Sequence, residues 1–278
     1  MFGILLNIFR KAMPNNLYAV LRGIFGHGKT YNHCETYFKI FNCYQNNNIH
    51  PKGKKILEVG CGAQLYTGLM FREYGAESVF LADPALKTIS EAKRREQFGR
   101  YKDYCKAPIN DSLINNISTF HDLNEIPNTE NKTFDFICSN TVLEHLRSLD
   151  GFFISVKRLL KKDGICFNVV DLSDHVYHMF DGRNLTKWIC DSNRLHHLRY
   201  SEKFYALMTD TRIWVNRYLL PYYVQQAESN HLSLDIIASN PYPEVPIHKD
   251  ILAKNAIVAL ENKYRVFDFK CVIQHKDL

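Results

Sequence analysis

A chain of 278 residues with 46% hydrophobic and 23% charged side chains can close one core with a large elaboration, and that balance excludes a disordered chain. Thirteen glycines and nine prolines exclude fibrous and low-complexity classes, and no apolar stretch reaches the roughly 18 residues of a membrane-spanning helix. The formal net charge of +6 comes in small sets such as Lys52, Lys54 and Lys55, a pattern that argues against a nucleic-acid groove and for an anionic small-molecule substrate.

In chain order, residues 1–27 form a separate element. Phe2, Ile4, Leu5, Ile8 and Phe9 recur near helical spacing, Pro14 breaks the run, and Leu17, Val20, Leu21, Ile24 and Phe25 follow. Positive charges come after the first apolar run, the reverse of a signal peptide. Two readings stay open for these residues: a helix packed on the domain or on a dimer partner, and a basic amphipathic helix at a membrane surface. An N-terminal helical arm is expected over 1–50, ahead of a domain over 51–278.

From Lys54 short apolar runs alternate with helical segments. KKILEVG (54–60), SVFLADP (78–84), residues 117–122, FDFICSN (134–140) and GICFNVV (164–170) read as strands. Helices are expected over 65–74, 86–98, 149–160 and 249–262, and RVFDFKCVIQ (265–274) as an edge strand. Strand–helix alternation of this length implies right-handed crossovers and a mostly parallel sheet with helices on both faces. Residues 171–248, rich in His, Asn, Asp, Arg and aromatics, break the rhythm and read as an irregular insertion or lid.

In such sheets ligands bind beyond the carboxyl ends of the strands. After the first strand, Gly60 and Gly62 permit a sharp turn close to a ligand, and the carboxylate of Glu58 suits a positively charged group better than a pyrophosphate. Asp83 follows the second strand, twenty-three residues after Gly60, at the spacing of an acid that accepts ribose hydroxyls. Asp122 follows the third strand, where it could accept a bond from an adenine amino group. Ser139 and Asn140 end the fourth, and Asp171 follows the fifth.

ILEVGCG, FLADP, HDLNEIP, FDFICSNTVLEHL and the LLKKDG turn together resemble, in order and spacing, the class I S-adenosylmethionine-dependent methyltransferases, over about residues 54–170. The resemblance implies a doubly wound, Rossmann-like α/β fold and S-adenosylmethionine as cofactor. It implies that Glu58, Gly60 and Gly62 meet the amino-acid end of the cofactor, Asp83 the ribose, Asp122 the adenine, and Asn140 the methionine moiety. Cys61 and Ser139 complete the expected cofactor set. Gln64 stands where many members have a third glycine, a departure that narrows the loop or brings a side chain over the cofactor.

A hydroxyl acceptor needs its proton removed by a nearby His, Asp or Glu. Asp171-Leu-Ser-Asp174-His175 lies just beyond the fifth strand, so His175 is the first choice of general base, oriented by Asp174 or Asp171, with His178 behind it. His145 in LEHL is read as structural. DLSDH and NRLHHLRYSEKF (193–204) also look like a bacterial subgroup associated with cell-surface polysaccharide synthesis. That likeness implies an activated glycan precursor held by Arg194, His196, His197 and Arg199, with Trp214, Tyr222, Tyr223 and Tyr242 against the sugar.

The expected activity is therefore methyl transfer to a hydroxyl of a small molecule or glycan precursor. An amine, lipid-linked or RNA acceptor, and a non-catalytic cofactor-binding subunit, are the alternatives. The eight cysteines form no C-x-x-C pair, so no zinc site or disulfide framework is expected. A reducing, cytoplasmic setting follows, peripheral to the inner membrane face if 1–27 meet lipid. No metal and no nucleic-acid partner are expected, and a homodimer stays open.

Overall fold

A computed structural model describes residues 33–106, 110–175, 195–209, 214–241 and 245–276. The expectations for 1–27, His178, Arg194 and Tyr242 lie outside them. Strands β1 (Lys55–Val59), β2 (Ser78–Ala82), β3 (Ile117–Phe120), β4 (Phe134–Asn140), β5 (Leu160–Asp171), β6 (Leu232–Pro241) and β7 (Val266–His275) form one sheet. Its order is β3-β2-β1-β4-β5-β7-β6, the first five strands parallel and the last two pairings antiparallel. This is a doubly wound, Rossmann-like α/β architecture, and its strand order reverses between β1 and β4.

The central strands are buried on both faces because their sequences are near-continuous apolar runs, as parallel strands covered twice must be. One face is covered by α1 (His33–Gln45), α2 (Tyr66–Glu73) and α3 (Glu91–Cys105), whose apolar side chains pack with Ile56, Val79, Leu81 and Phe167. Helix α1 enters this core through Phe41 and Tyr44, both fully buried. Tyr44 stacks on Phe71 at 5.8 Å and meets Phe167 edge-on at 6.0 Å, pairs that add about 0.5–1.5 kcal/mol each beyond area burial. The other face is covered by α4 (Asp150–Leu159) and α6 (Leu220–Ser229) over Val59, Ile137, Val170 and Phe269, with α5 (Glu202–Met208) between the two in the chain. Among the described residues no helix is long and apolar enough to cross a membrane.

Three elements differ from the sequence reading. The helix expected over 86–98 is a 3-10 turn at Pro84–Thr88 followed by α3, because Ser90 Oγ accepts from Lys93 N at 3.2 Å and starts the helix there. The helix expected over 249–262 is the short α7 (Lys249–Lys254). Just after it, the buried Asn255 accepts from Leu219 N at 2.6 Å and donates to Ile251 O at 2.8 Å, side-chain bonds that fix the chain where the helix stops. Strand β7, expected at the edge, lies between β5 and β6. The true edge is β6, inside the segment expected to be irregular. Its residues from Asp235 onward are exposed, so they carry no buried-strand pattern, and β7 supplies the pairing.

Candidate active site

At the carboxyl ends of β1, β2 and β4 the chain leaves the sheet around a cavity of about 530 Å³. Backbone bonds carry the ladder one residue past each strand: Gly60 N to Ala82 O at 2.8 Å, Asp83 N to Phe120 O at 3.0 Å, and Thr141 N to Val169 O at 2.9 Å. The loops therefore leave from fixed points. Gly60, Gly62, Asp83, Asp122, Thr141, Val142, His145 and Phe152 are among the wall residues.

The loop after β1 is pinned from three sides. Gly62 N donates to Asp83 Oδ2 at 2.8 Å, Tyr37 on α1 donates its hydroxyl to Cys61 O at 3.1 Å, and Gln97 on α3 accepts from Leu65 N and donates to Ala63 O, both at 2.8 Å. Gly60 has φ +80°, and a Cβ there would lie 2.1 Å from Val142 Cγ2. Only glycine supplies both the conformation and the space. Tyr37 lines the cavity, whereas Gln64 does not. Nothing in the sequence marks Tyr37 or Gln97: each is one side chain of a helix that looks ordinary.

Asp83 and Asp122 end their strands in extended conformation and cap the turns that follow. Asp83 Oδ1 accepts from Ala85 N and Asp122 Oδ1 from Asn124 N, both at 2.8 Å. A carboxylate has about four lone-pair sites, so both acids keep acceptor capacity on the cavity wall.

Four residues of the expected cofactor set do not line the cavity. Ser139 is buried, donating to Asn168 Oδ1 at 2.8 Å. Cys61 is buried, Asn140 accepts at its carbonyl from Thr141 Oγ1 at 2.8 Å, and Glu58 is 3% exposed. The two oxygens of Glu58 accept from the Tyr44 hydroxyl at 3.2 Å and from Thr67 Oγ1. Burial pushes its carboxyl from 4.5 up to about 7, assisted by the charge of Asp83 and opposed by those two hydrogen bonds. The folded chain thus holds this proton over a range where the unfolded chain has lost it. Stability is expected to fall as pH rises from about 4.5 to 7, by an amount on the order of 3 kcal/mol, and to level off above. Glu58→Gln should flatten this slope and be the more stable protein at pH 8. Urea unfolding of both proteins at several pH values checks it, and parallel curves would remove the assignment.

On the far side of β4 the short turn Leu143–His145 brings His145 to the cavity, with Glu144 buried beside it. His145 is on the wall, and its Nδ1 lies 3.0 Å from Trp214 O. The His175 ring stands 4.6 Å from the His145 ring. Asp171 accepts from Ser173 N at 2.9 Å, and Asp174 is buried. The structure thus brings His175 to His145, the histidine read from sequence as structural, and not to the cavity wall itself.

The set expected to hold a glycan is used differently. His197 is buried, and burial, reinforced by the nearby Arg217, holds its pKa well below the ordinary value. His196 Nε2 bonds the Tyr200 hydroxyl at 2.6 Å. Tyr223 is fully buried against Phe269, and Tyr222 stacks on Tyr218 at 4.1 Å.

S-adenosylmethionine fits this cavity on two counts: the cradle at Gly60 that a Cβ would fill, and two carboxylates able to accept hydroxyl and amino donors. Asp83→Ala removes an acceptor for such a donor and for Gly62 N. It is expected to weaken cofactor binding by roughly 10- to 150-fold, the worth of a hydrogen bond to a charged group, read by calorimetry. An unchanged affinity would take Asp83 out of the site.

Residues 43–211 match the methyltransferase domain family. The ubiquinone biosynthesis O-methyltransferase of Pelagibacter ubique is 28% identical over 141 residues, 50% of this chain and 52% of that protein. The mitochondrial ubiquinone biosynthesis O-methyltransferase of Bos taurus is 34% identical over 115 residues, 41% of this chain and 28% of its own length. The chain thus spans about half, or less, of the curated relatives it matches. The solved YcgJ protein of Bacillus subtilis is 14% identical with a TM-score of 0.47, covering 85% of this chain and 98% of that one. With more than half of its length matched to one family, the chain belongs to the methyltransferase domain family.

Proposed function

We propose that the chain methylates a hydroxyl oxygen of a small molecule. When bound, S-adenosylmethionine supplies a methyl group already activated on a sulfonium. What is left to the chain is to hold the donor, align the acceptor oxygen and keep water out. The observation that carries the reading is the division of the cavity wall. Asp83, His121 and Asp122 follow β2 and β3 and mark the donor part, while Val142, His145, Leu146 and Phe152 follow β4, with Thr141, Ser148 and Ser155 among them. Apolar side chains with a few polar groups between them suit a compact acceptor bearing a hydroxyl. The naming of both curated relatives as O-methyltransferases supports oxygen as the acceptor atom.

The glycan reading rests on DLSDH (171–175) and residues 193–204. There Arg217 donates to the carbonyls of His197 and Tyr200, and His197 is buried. These packing roles favour a small acceptor over a phosphate-bearing glycan. Incubating the full chain with isotopically labelled cofactor and a panel of phenols, alcohols, amines and sugar nucleotides tests the proposal by mass spectrometry. Label on the oxygen of a phenol or alcohol is expected. Transfer confined to amines would overturn the oxygen assignment, and transfer confined to sugar nucleotides would overturn the compact acceptor.

A further inference from the structure

We infer that Glu144, His145 and His175 bind one divalent first-row transition-metal cation, with its open coordination positions toward the cavity. One ligand atom from each of the three lies within 4.8 Å of the others. Tetrahedral ligands at metal–ligand distances near 2.1 Å stand about 3.4 Å apart, so small side-chain rotations close the set. Two imidazoles and one carboxylate are the donors that zinc, cobalt, iron and manganese take in three-ligand sites.

A second observation points the same way. Glu144 is 1% exposed, yet among the described residues neither of its carboxylate oxygens has a partner at full hydrogen-bond geometry. Buried carboxylates are ordinarily paired or bound to a metal. A cation here would partner Glu144.

The surroundings hold the ligands in place. His145 Nδ1 donates to Trp214 O at 3.0 Å, which leaves the Nε2 lone pair for a metal, the usual arrangement of a ligating histidine. Asn216 Nδ2 donates to Leu143 O at 2.7 Å and Leu146 O at 3.0 Å, while its backbone N donates to Glu144 O at 2.7 Å. The turn that carries two of the three ligands is thereby fixed from a segment some seventy residues later.

Three protein ligands leave at least one position free, and His145 is on the cavity wall. An acceptor oxygen bound there would have its hydroxyl acidity raised by the cation. In this arrangement His175 is a metal ligand and not the general base, since a ring nitrogen bound to a cation cannot take a proton. The use of the cation rests on the proposed O-methylation; its binding does not.

The test is titration of the full chain, stripped by a chelator, with Zn²⁺, Co²⁺, Mn²⁺ and Mg²⁺ in calorimetry, using the visible spectrum of Co²⁺ as a second readout. One equivalent of a transition cation is expected to bind. His175→Ala and Glu144→Gln should each weaken it at least tenfold, while far-UV circular dichroism and S-adenosylmethionine affinity stay as in the parent. Glu144→Gln keeps the shape of the buried side chain, so it guards against a variant that fails to fold. Absence of stoichiometric binding by any of the four cations, or binding that neither substitution weakens, overturns the site. Cation binding without any hydroxyl methylation would leave the site standing and remove the proposed reaction.

Discussion

Gly60→Ala is expected to lower S-adenosylmethionine affinity by about 100-fold or more and to destabilise the fold by roughly 2–4 kcal/mol. The two losses share one cause. Gly60 has φ +80°, where a side chain costs on the order of 1–2 kcal/mol by itself, and the added methyl would lie 2.1 Å from Val142 Cγ2 and 2.7 Å from Cγ1. No real contact is that short. Either Val142 moves, and it forms part of the cavity wall, or the loop moves and drags Gly62 N from Asp83 Oδ2. Gly53→Ala is the internal control. Gly53 has φ +68° but nothing within 4 Å of the Cβ position, so it should cost about 1 kcal/mol and leave cofactor binding alone. In Gly60→Ala with Val142→Ala, both clashing γ carbons are gone. Part of the lost affinity should then return, leaving the backbone strain. Calorimetry and urea unfolding of the four proteins separate the two contributions, and Gly60→Ala binding with parental affinity would show that the loop has room the geometry denies.

The parts of this site that can be read from sequence are those whose signal is local. Gly60, Gly62, Asp83 and Asp122 each stand within three residues of a strand's carboxyl end, and the structure gathers all four around one cavity. Glu58 has the same local signal, but alternation along β1 turns it to the opposite side of the sheet, toward Tyr44 and Thr67. Its partners come from α1 and α2, and no spacing rule connects them. In sequence His145 reads as structural, because its turn resembles any helix start; what brings it into play is a carbonyl sixty-nine residues away. Strand β6 leaves no signal in sequence for a related reason. A strand reveals itself by what it buries, and an edge strand with an exposed outer half buries little. The central strands, covered on both faces, show themselves in composition alone.

Arg217→Ala is expected to cost about 3–5 kcal/mol, against less than about 1 kcal/mol for Glu202→Gln, although the two side chains form one ion pair. The asymmetry follows from burial. The Arg217 side chain is wholly inaccessible whereas Glu202 is 44% exposed, so water solvates the carboxylate whether or not its partner remains. Arg217 Nη1 donates to Tyr200 O at 2.8 Å and His197 O at 3.2 Å, and its guanidinium lies 4.1 Å above the Tyr205 ring. Its Nη2 is 2.7 Å from Glu202 Oε2, an ion pair by distance without the alignment of a hydrogen bond. Truncation therefore takes a donor from two carbonyls, of which His197 O keeps only the longer bond from Tyr200 N at 3.4 Å, and strips a cation from an aromatic face. Arg217→Lys keeps the charge but loses the planar fork, and a single ammonium does not span both carbonyls with the same geometry. It should recover about half of the loss. The local consequence reaches the site, because Arg217 immediately follows Asn216, which fixes the turn bearing Glu144 and His145. Arg217→Ala should thus lower methyl transfer by more than it lowers cofactor affinity, since Gly60, Gly62 and Asp83 belong to other loops. Equal unfolding midpoints for Arg217→Ala and Glu202→Gln would mean that the carbonyls find other donors, and Arg217 would then be an ordinary ion-pair partner.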